Sequence, residues 1–306
     1  MTGAVTPLHS AVECIWPVGA TLAEGPFWHA DQRALYFVDI KGKTVHRCAE
    51  DGGARATWTL PDQVGFALPM SDGALLCGLP GKVVRFDADG GGLETLLALE
   101  GDLPGNRNND GYIDAAGRLW FGTMDNAETA ATGALYRWDG AHLRRLDDAY
   151  IITNGPCISP DGRTFYHTDT LAGQIYAFDL APDGTLGNRR VLIRTAAPGH
   201  PDGTAIDAEG ALWVSMFRGG RIDRYAPDGA LIGSVAMPCS NITKVAFGGA
   251  DLRTVFVTTA RKGLTAEELS REPLAGGIFR FRTEVPGLPQ HVFQPETRTE
   301  NRDDQR

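Results

Sequence analysis

The chain is short of the features that mark several common protein classes, and each shortage removes one. Cysteine is scarce: Cys14, Cys48, Cys77, Cys157 and Cys239 are all there are in 306 residues, an odd number with no C-x-x-C pair. A disulfide framework and a zinc cluster are both disfavoured, so reduced buried thiols in a cytoplasmic protein are expected. Clusters of Lys and Arg are missing, and the 29 basic residues are outweighed by 38 acidic ones, giving a net charge of -9. Such a chain has no electrostatic footprint for nucleic acid. No apolar run nears the roughly 18 residues a membrane helix needs. Residues 1–14 also lack the basic start and apolar core of a signal peptide. G-x-G-x-x-G, a P-loop, H-E-x-x-H and G-x-S-x-G are likewise absent, so nucleotide-binding, zincin and serine-hydrolase readings have no support.

What the chain has in excess is glycine, 38 residues or about one in eight. With ordinary aliphatic and aromatic content, that excess implies many tight turns between short strands rather than disorder. The turns recur. A small polar turn followed by an apolar strand appears at 30–39, 71–77, 115–122, 160–167, 208–214 and 249–257. A second strand follows each, at 44–47, 83–86, 134–137, 174–178, 221–224 and 277–280. The turn glycines Gly73, Gly117, Gly162 and Gly210 are spaced by 44, 45 and 48 residues. Apolar and polar residues alternate within the strands, which is the β period.

Six units of about 45 residues, each able to supply four strands, predict an all-β, six-bladed β-propeller. Two β-sandwich domains would also use many short strands, but give no reason for one unit to recur in register. The propeller is expected to occupy residues 1–293 as one domain, with 294–306 a polar, disordered tail. Ring closure requires a strand from one terminus, and 12–16 suits that role. Only 264–271 reads as a helix.

Residues at the same phase of a repeat should occupy the same place on their blades. Eight residues before each turn stand Glu24, Gly65, Asn109, Asn154 and Asp202, with the sixth position falling within 241–244. Four of these six are carboxylates or carboxamides at strand starts that converge on one axis. Two carboxylates and a carboxamide oxygen are hard ligands, suited to Ca²⁺, Mg²⁺, Mn²⁺ or Fe²⁺. Carboxylates there are costly unless a cation balances them. The bland alternative is that each residue only braces its own turn.

The segments Ala23-Glu-Gly-Pro-Phe-Trp28, Asn106-Arg-Asn-Asn-Asp-Gly111, Phe121-Gly-Thr-Met124, Thr153-Asn-Gly-Pro156, Pro201-Asp-Gly203 and Leu274-Ala-Gly-Gly-Ile-Phe279 resemble the senescence-marker/gluconolactonase (regucalcin-like) family of six-bladed propellers. The likeness spans about residues 13–293. It is nearest to the bacterial sugar lactonases of that family, xylonolactonases above all, through Pro61-Asp-Gln-Val64 and Tyr166-His-Thr-Asp-Thr170.

The resemblance implies that Glu24, Asn154 and Asp202 bind one divalent cation, with Fe²⁺, Mn²⁺, Zn²⁺, Mg²⁺ and Ca²⁺ all open. It implies that Arg107 and Asn109 bind substrate. Where some relatives carry a substrate-contacting Glu, this chain has Ala127, and Asp125 or Glu128 is the candidate replacement. The implied activity is hydrolysis of a small sugar lactone, a pentonolactone preferred, to its aldonic acid. Asp202, or the water polarised by the cation, would supply the base. Hexonolactones are the alternative substrate. A metal-dependent esterase or phosphotriesterase, and a non-enzymatic calcium-binding or interaction propeller, are the alternative activities. A monomer is expected. His167, His29 and His200 read as strand-end residues bonding backbone ahead of any catalytic role, Trp120 and Trp213 as core, and Cys157 as inert.

Overall fold

Alternating short strands joined by glycine turns can bury one face each only by stacking sheet on sheet, and the chain does so in a ring. The computed structural model describes residues 9–294. Six four-stranded antiparallel sheets form in chain order, each running outward from the axis. Blade 1 holds Ala23–His29, Ala34–Asp39, Thr44–Ala49 and Ala56–Thr59. Blade 2 begins at Ala67–Pro69, blade 3 at Asn106–Ile113, blade 4 at Thr153–Ile158 and blade 5 at His200–Ile206.

Blade 6 combines Ile242–Gly248, Thr254–Thr259 and Ile278–Arg282 with Glu13–Trp16 from the other end of the chain. The expected closing strand is therefore in place, antiparallel to Ile278–Arg282, with Glu13 opposite Arg280. The one helix among the described residues, Ala266–Arg271, is capped at Thr265 by a reciprocal bond with Glu268. It starts two residues later than the sequence pattern suggests, because Thr265 takes the capping role.

The core is six apolar clusters, one between each pair of neighbouring blades. Between blades 1 and 2, for example, Phe27, Tyr36 and Val45 pack on Leu75, Val84 and Phe86. Trp120 and Trp213 are fully buried, as the strand phase predicts. Each donates its indole N–H to a turn aspartate six residues earlier, Asp114 or Asp207, at 2.8 and 2.9 Å. All five cysteines are free.

After blade 6 the chain crosses the face of the ring at the far ends of the innermost strands. Gly287 bridges to Asp207 of blade 5, and Phe293 bridges to Met70 of blade 2 and stacks on Trp138 at 5.0 Å. The tail expected over 294–306 lies, from 295 on, outside the described residues, as do residues 1–8. No described helix is long and apolar enough to cross a membrane.

Candidate active site

The side chains that matter stand at the starts of the innermost strands, and a recurring irregularity turns them inward. In blade 1 three steps on the inner strand, Glu24 to Phe27, face two on its neighbour, Val38 to Tyr36. The same extra residue lies between Asn108 and Gly111, between Asn154 and Cys157, and between Pro201 and Thr204. A β-bulge bends its strand and re-aims the side chain beside it. Gly25 and Gly155 follow two of these side chains with φ of 53° and 57°, a left-handed conformation that glycine adopts without steric cost. At the blade 2 position, Gly65 is bare because a Cβ there would sit 2.3 Å from the Asn108 carbonyl oxygen.

All five residues singled out from the sequence, Glu24, Arg107, Asn109, Asn154 and Asp202, line one pocket of about 160 Å³. That is room for roughly ten waters at about 10–15 Å³ each, and hence for a small polar ligand. Met124, Phe217 and Leu171 give the wall apolar surface, while Glu128, His200 and Lys262 bring further polar groups to it.

A hydrogen-bonded chain fixes the neutral members. Arg107 Nη1 donates to Asn109 Oδ1 at 2.6 Å, and Asn109 Nδ2 donates to Asn154 Oδ1 at 2.9 Å and to the Thr153 carbonyl at 2.7 Å. Asn154 Nδ2 in turn donates to Thr170 Oγ1 at 3.0 Å. These bonds orient Asn154 so that its oxygen, not its amide, faces the Asn109 side of the pocket.

The carboxylates are treated differently. Glu24 and Asp202 are buried, at 4% and 8% exposure. Glu24 Oε2 accepts only the N–H of Gly25, at 2.7 Å. No hydrogen bond from the described residues reaches the Asp202 carboxylate, although its backbone carbonyl accepts from Thr204 Oγ1. Burial first, then repulsion from Asp110, pushes the Glu24 carboxyl up to about 8. Burial, then Glu24 and Asp110, pushes Asp202 well above the usual carboxylate range.

The nearby cations of the protein are engaged elsewhere. Arg107 bonds Asn109, the Asn108 carbonyl and Asn126. Lys244 pairs with Asp110, and Lys262 with Glu128. Burial lowers the Arg107 guanidinium to about 10, against the pull of Glu128, Glu24 and Asp202, so it remains a cation at neutral pH.

The two candidates for the position left by Ala127 are separated clearly. Asp125 spends its carboxylate on its own turn, accepting the N–H groups of Ala127, Thr129 and Ala130. Glu128 lines the pocket. Of the three histidines, His29 behaves as expected, its Nδ1 accepting the backbone N–H of Gln32 at 3.5 Å, while the other two differ. His200 lines the pocket, whereas His167 is fully buried outside it, 4.8 Å from the Tyr150 ring, with both ring nitrogens unpartnered. The expected backbone bond to His167 is absent, and the ring packs instead against the aromatic side chains of Tyr150 and Phe165. Cys157 is buried, its thiol pushed up to about 12 by burial, as an inert residue should be.

Sequence reasoning did not single out Asp110, Lys244 or Lys262. Lys244 did fall within the sixth ring position, where slippage of the repeat hid it. Lys262 comes from a connection between strands and carries no repeat phase.

Known proteins resemble this chain over nearly its whole length. The model of the SMP-30/gluconolactonase/LRE-like region matches residues 22–261. A 6-deoxy-6-sulfogluconolactonase of Pseudomonas putida is 34% identical over 289 residues, covering 94% of this chain and 99% of the relative. An L-arabinolactonase of Azospirillum brasilense is 36% identical, covering 89% and 92%. The crystal structure of regucalcin from Agrobacterium tumefaciens, described as a calcium-binding protein, superposes with a TM-score of 0.89 at 30% identity, covering 93% of this chain and 97% of the other. On the length and continuity of these matches, the chain belongs to the SMP-30/gluconolactonase/LRE-like family.

Proposed function

We propose that the protein is a metal-dependent sugar lactonase that hydrolyses an aldono-lactone to its aldonic acid, with pentonolactones preferred. The observation that carries the reading is the pair of buried carboxylates, Glu24 and Asp202, sharing a pocket with a carboxamide while the nearby protein cations are bonded to other groups. Two such charges are unfavourable together unless a cation joins them. Among the described residues no three Asp, Glu, His or Cys side chains are grouped to hold a metal, and in this reading the third ligand is the carboxamide oxygen of Asn154. That all-oxygen set fits a hard divalent cation, with Fe²⁺, Mn²⁺, Zn²⁺, Mg²⁺ and Ca²⁺ all to be tested. The bound cation would act as a Lewis acid on the lactone carbonyl.

The remaining work falls to the chain's own groups. Arg107, held by Asn109 and Asn126, presents a fixed guanidinium to the sugar hydroxyls or the carbonyl oxygen. Both amide hydrogens of Asn109 go to protein acceptors and one lone pair of its oxygen to Arg107, so the second lone pair of that oxygen is left to take a substrate hydroxyl. Asp202 takes a proton from the attacking water as the water oxygen bonds to the carbonyl carbon. The ring C–O bond then breaks, and Asp202 returns that proton to the departing oxygen. Burial raises the basicity Asp202 needs for this, while coordination lowers it.

Hexonolactones are the alternative substrates, a choice favoured by the likeness to the Pseudomonas putida sulfogluconolactonase. A polar pocket holding Arg107 and Asn109 suits a hydroxylated lactone better than a phosphotriester. The test is hydrolysis of five- and six-membered pentono- and hexonolactones by chelated protein resupplied with each of the five cations. The reading expects turnover that chelator removes and at least one cation restores. Absence of turnover with every pair would overturn it.

A further inference from the structure

Beside the pocket, against its lining residue Arg107, a neutral oxygen stands where a charge would be expected. Asn126 Oδ1 accepts from Lys41 Nζ at 2.8 Å and from Arg107 Nε at 3.1 Å, so one carboxamide lies between two cations. The other partner of Lys41 is also neutral, Gln63 Oε1 at 3.0 Å. No carboxylate of the described residues pairs with Lys41. Its sequence neighbour Lys43 pairs with Asp62 at 3.4 Å, and Lys244 and Lys262 each pair with an acid.

The group is half-buried, and burial with repulsion from Arg107 and Lys262 lowers Lys41 to about 8 against the pull of Glu128. Lys41 thus stands beside two further cations, Arg107 and Lys262, and the one acid that acts on it, Glu128, is already paired with Lys262. Such a cluster is repulsive in the free protein and relaxes when an anion enters it. Arg107 joins the two regions: its Nη1 faces Asn109 and the pocket floor, and its Nε faces Asn126 and the mouth.

We propose that Lys41, with Asn126 and Arg107, forms a subsite for an anionic group on the terminal carbon of the lactone, a sulfonate or a phosphate ester. The assignment rests on the lactonase reading for its substrate but on the Lys41 cluster for its charge. A lactone with its carbonyl at Asp202 would extend along the guanidinium of Arg107 and bring its far end to Lys41. Lysine serves such groups as a point charge.

The test compares kcat/KM for gluconolactone, its 6-phosphate and its 6-sulfonate in the wild type, in Lys41→Gln and in Asn126→Asp. The last variant keeps the shape of the side chain and places a resident carboxylate between the two cations. The subsite predicts a wild-type preference for one or both anionic lactones. Each variant should lower the anionic-to-neutral ratio by about tenfold, mostly through KM, as expected for one charge-assisted contact. The phosphate and sulfonate arms show which anion is read.

Calorimetric titration with gluconate and with its 6-phosphate and 6-sulfonate separates the two readings. Tighter binding of an anionic aldonate that Lys41→Gln removes would uphold the subsite even if no lactone were hydrolysed. Hydrolysis with no anionic preference, or a preference and aldonate binding that both variants leave intact, would overturn the subsite while leaving the lactonase standing.

Discussion

The same innermost strands build two opposite environments at their two ends. At the starts of these strands stand Glu24, Arg107, Asn109, Asn154 and Asp202, polar groups of which the two carboxylates have few internal partners. A few residues further along, the strands contribute Phe27, Trp28, Tyr112, Cys157 and Phe247, around a residual space of about 90 Å³ closed over by Leu288 and Pro289. Between the two lies the Lys244–Asp110 pair, buried and internally satisfied, with Asp110 also accepting the N–H groups of Gly111 and Gly155. Charge is thus balanced within the protein in mid-channel and left unbalanced at the mouth. A protein that only needed to be stable would have filled both ends alike, because unpaired buried carboxylates cost stability while apolar packing adds it.

The sharpest way to break this contrast is Asp202→Ala. At the polar end the change should lower lactone turnover by about a thousandfold or more and weaken binding of the divalent cation. The melting temperature of the cation-free protein should hold or rise, since a buried carboxyl without a hydrogen-bond partner is removed. Turnover measured beside calorimetric cation binding checks it, and near wild-type activity would take Asp202 out of the mechanism. Phe293→Ala probes the other end. Phe293 is fully buried and stacked on Trp138, so the truncation should cost about 3–5 kcal/mol in denaturant unfolding. Well below the melting point, kcat/KM should stay within a few-fold of wild type, because the strap lies remote from the mouth.

How much of this contrast could be read from the sequence depended on whether a residue obeys the repeat. Glu24, Asn109, Asn154 and Asp202 share one phase, and their convergence followed from counting back from turn glycines. The closing strand Glu13–Trp16 followed from the demand for a complete ring. Lys41, Asn126, Glu128 and Lys262 come from connections between strands on blades 1, 3 and 6, where no phase relates them. Their meeting at the mouth is a product of blade packing alone. Asp125 and Glu128 were equivalent in the sequence. The structure separates them because the 126–130 turn needs an acceptor for its N–H groups, and Asp125 is the residue placed to supply it.

A smaller effect, and one whose sign separates the two ends, lies in pH. In the cation-free protein burial and Asp110 make Glu24 hold its proton up to about 8, whereas in the unfolded chain it releases it near the ordinary value of 4.5. Between those values the folded state binds more protons, so stability should fall as pH rises, by about 1.4 kcal/mol per pH unit for such a group. A divalent cation takes the proton's place, so added Ca²⁺ or Mn²⁺ should raise the melting temperature more at pH 8 than at pH 5. Thermal melts with chelator and with cation at both values measure it, and an equal rise at the two would contradict the carboxylate pair as the binding site.

The smallest expected effect concerns His167, in the packing of blade 4 away from either end of the channel. Burial lowers its imidazole to about 3, with Arg189 adding to the shift, and His46 is lowered by burial to about 4. Both are neutral when folded and protonate near the ordinary value of 6.5 when unfolded, so the unfolded state binds more protons below that pH. Stability is therefore complete above about 6.5 and is lost as pH falls toward 4. His46 keeps two hydroxyl partners, Thr44 and Thr57, but His167 has none, and its buried N–H goes unsatisfied. His167→Phe retains a ring packed against Tyr150 and Phe165 while removing the two polar nitrogens. At pH 7.5 the variant should unfold within about 1 kcal/mol of wild type. At pH 5 it should be the more stable of the two, because only the His46 share of the acid loss remains. Urea melts at the two pH values measure both differences. Lactone turnover in the same variant should match wild type, and its collapse would return His167 to the catalytic candidates.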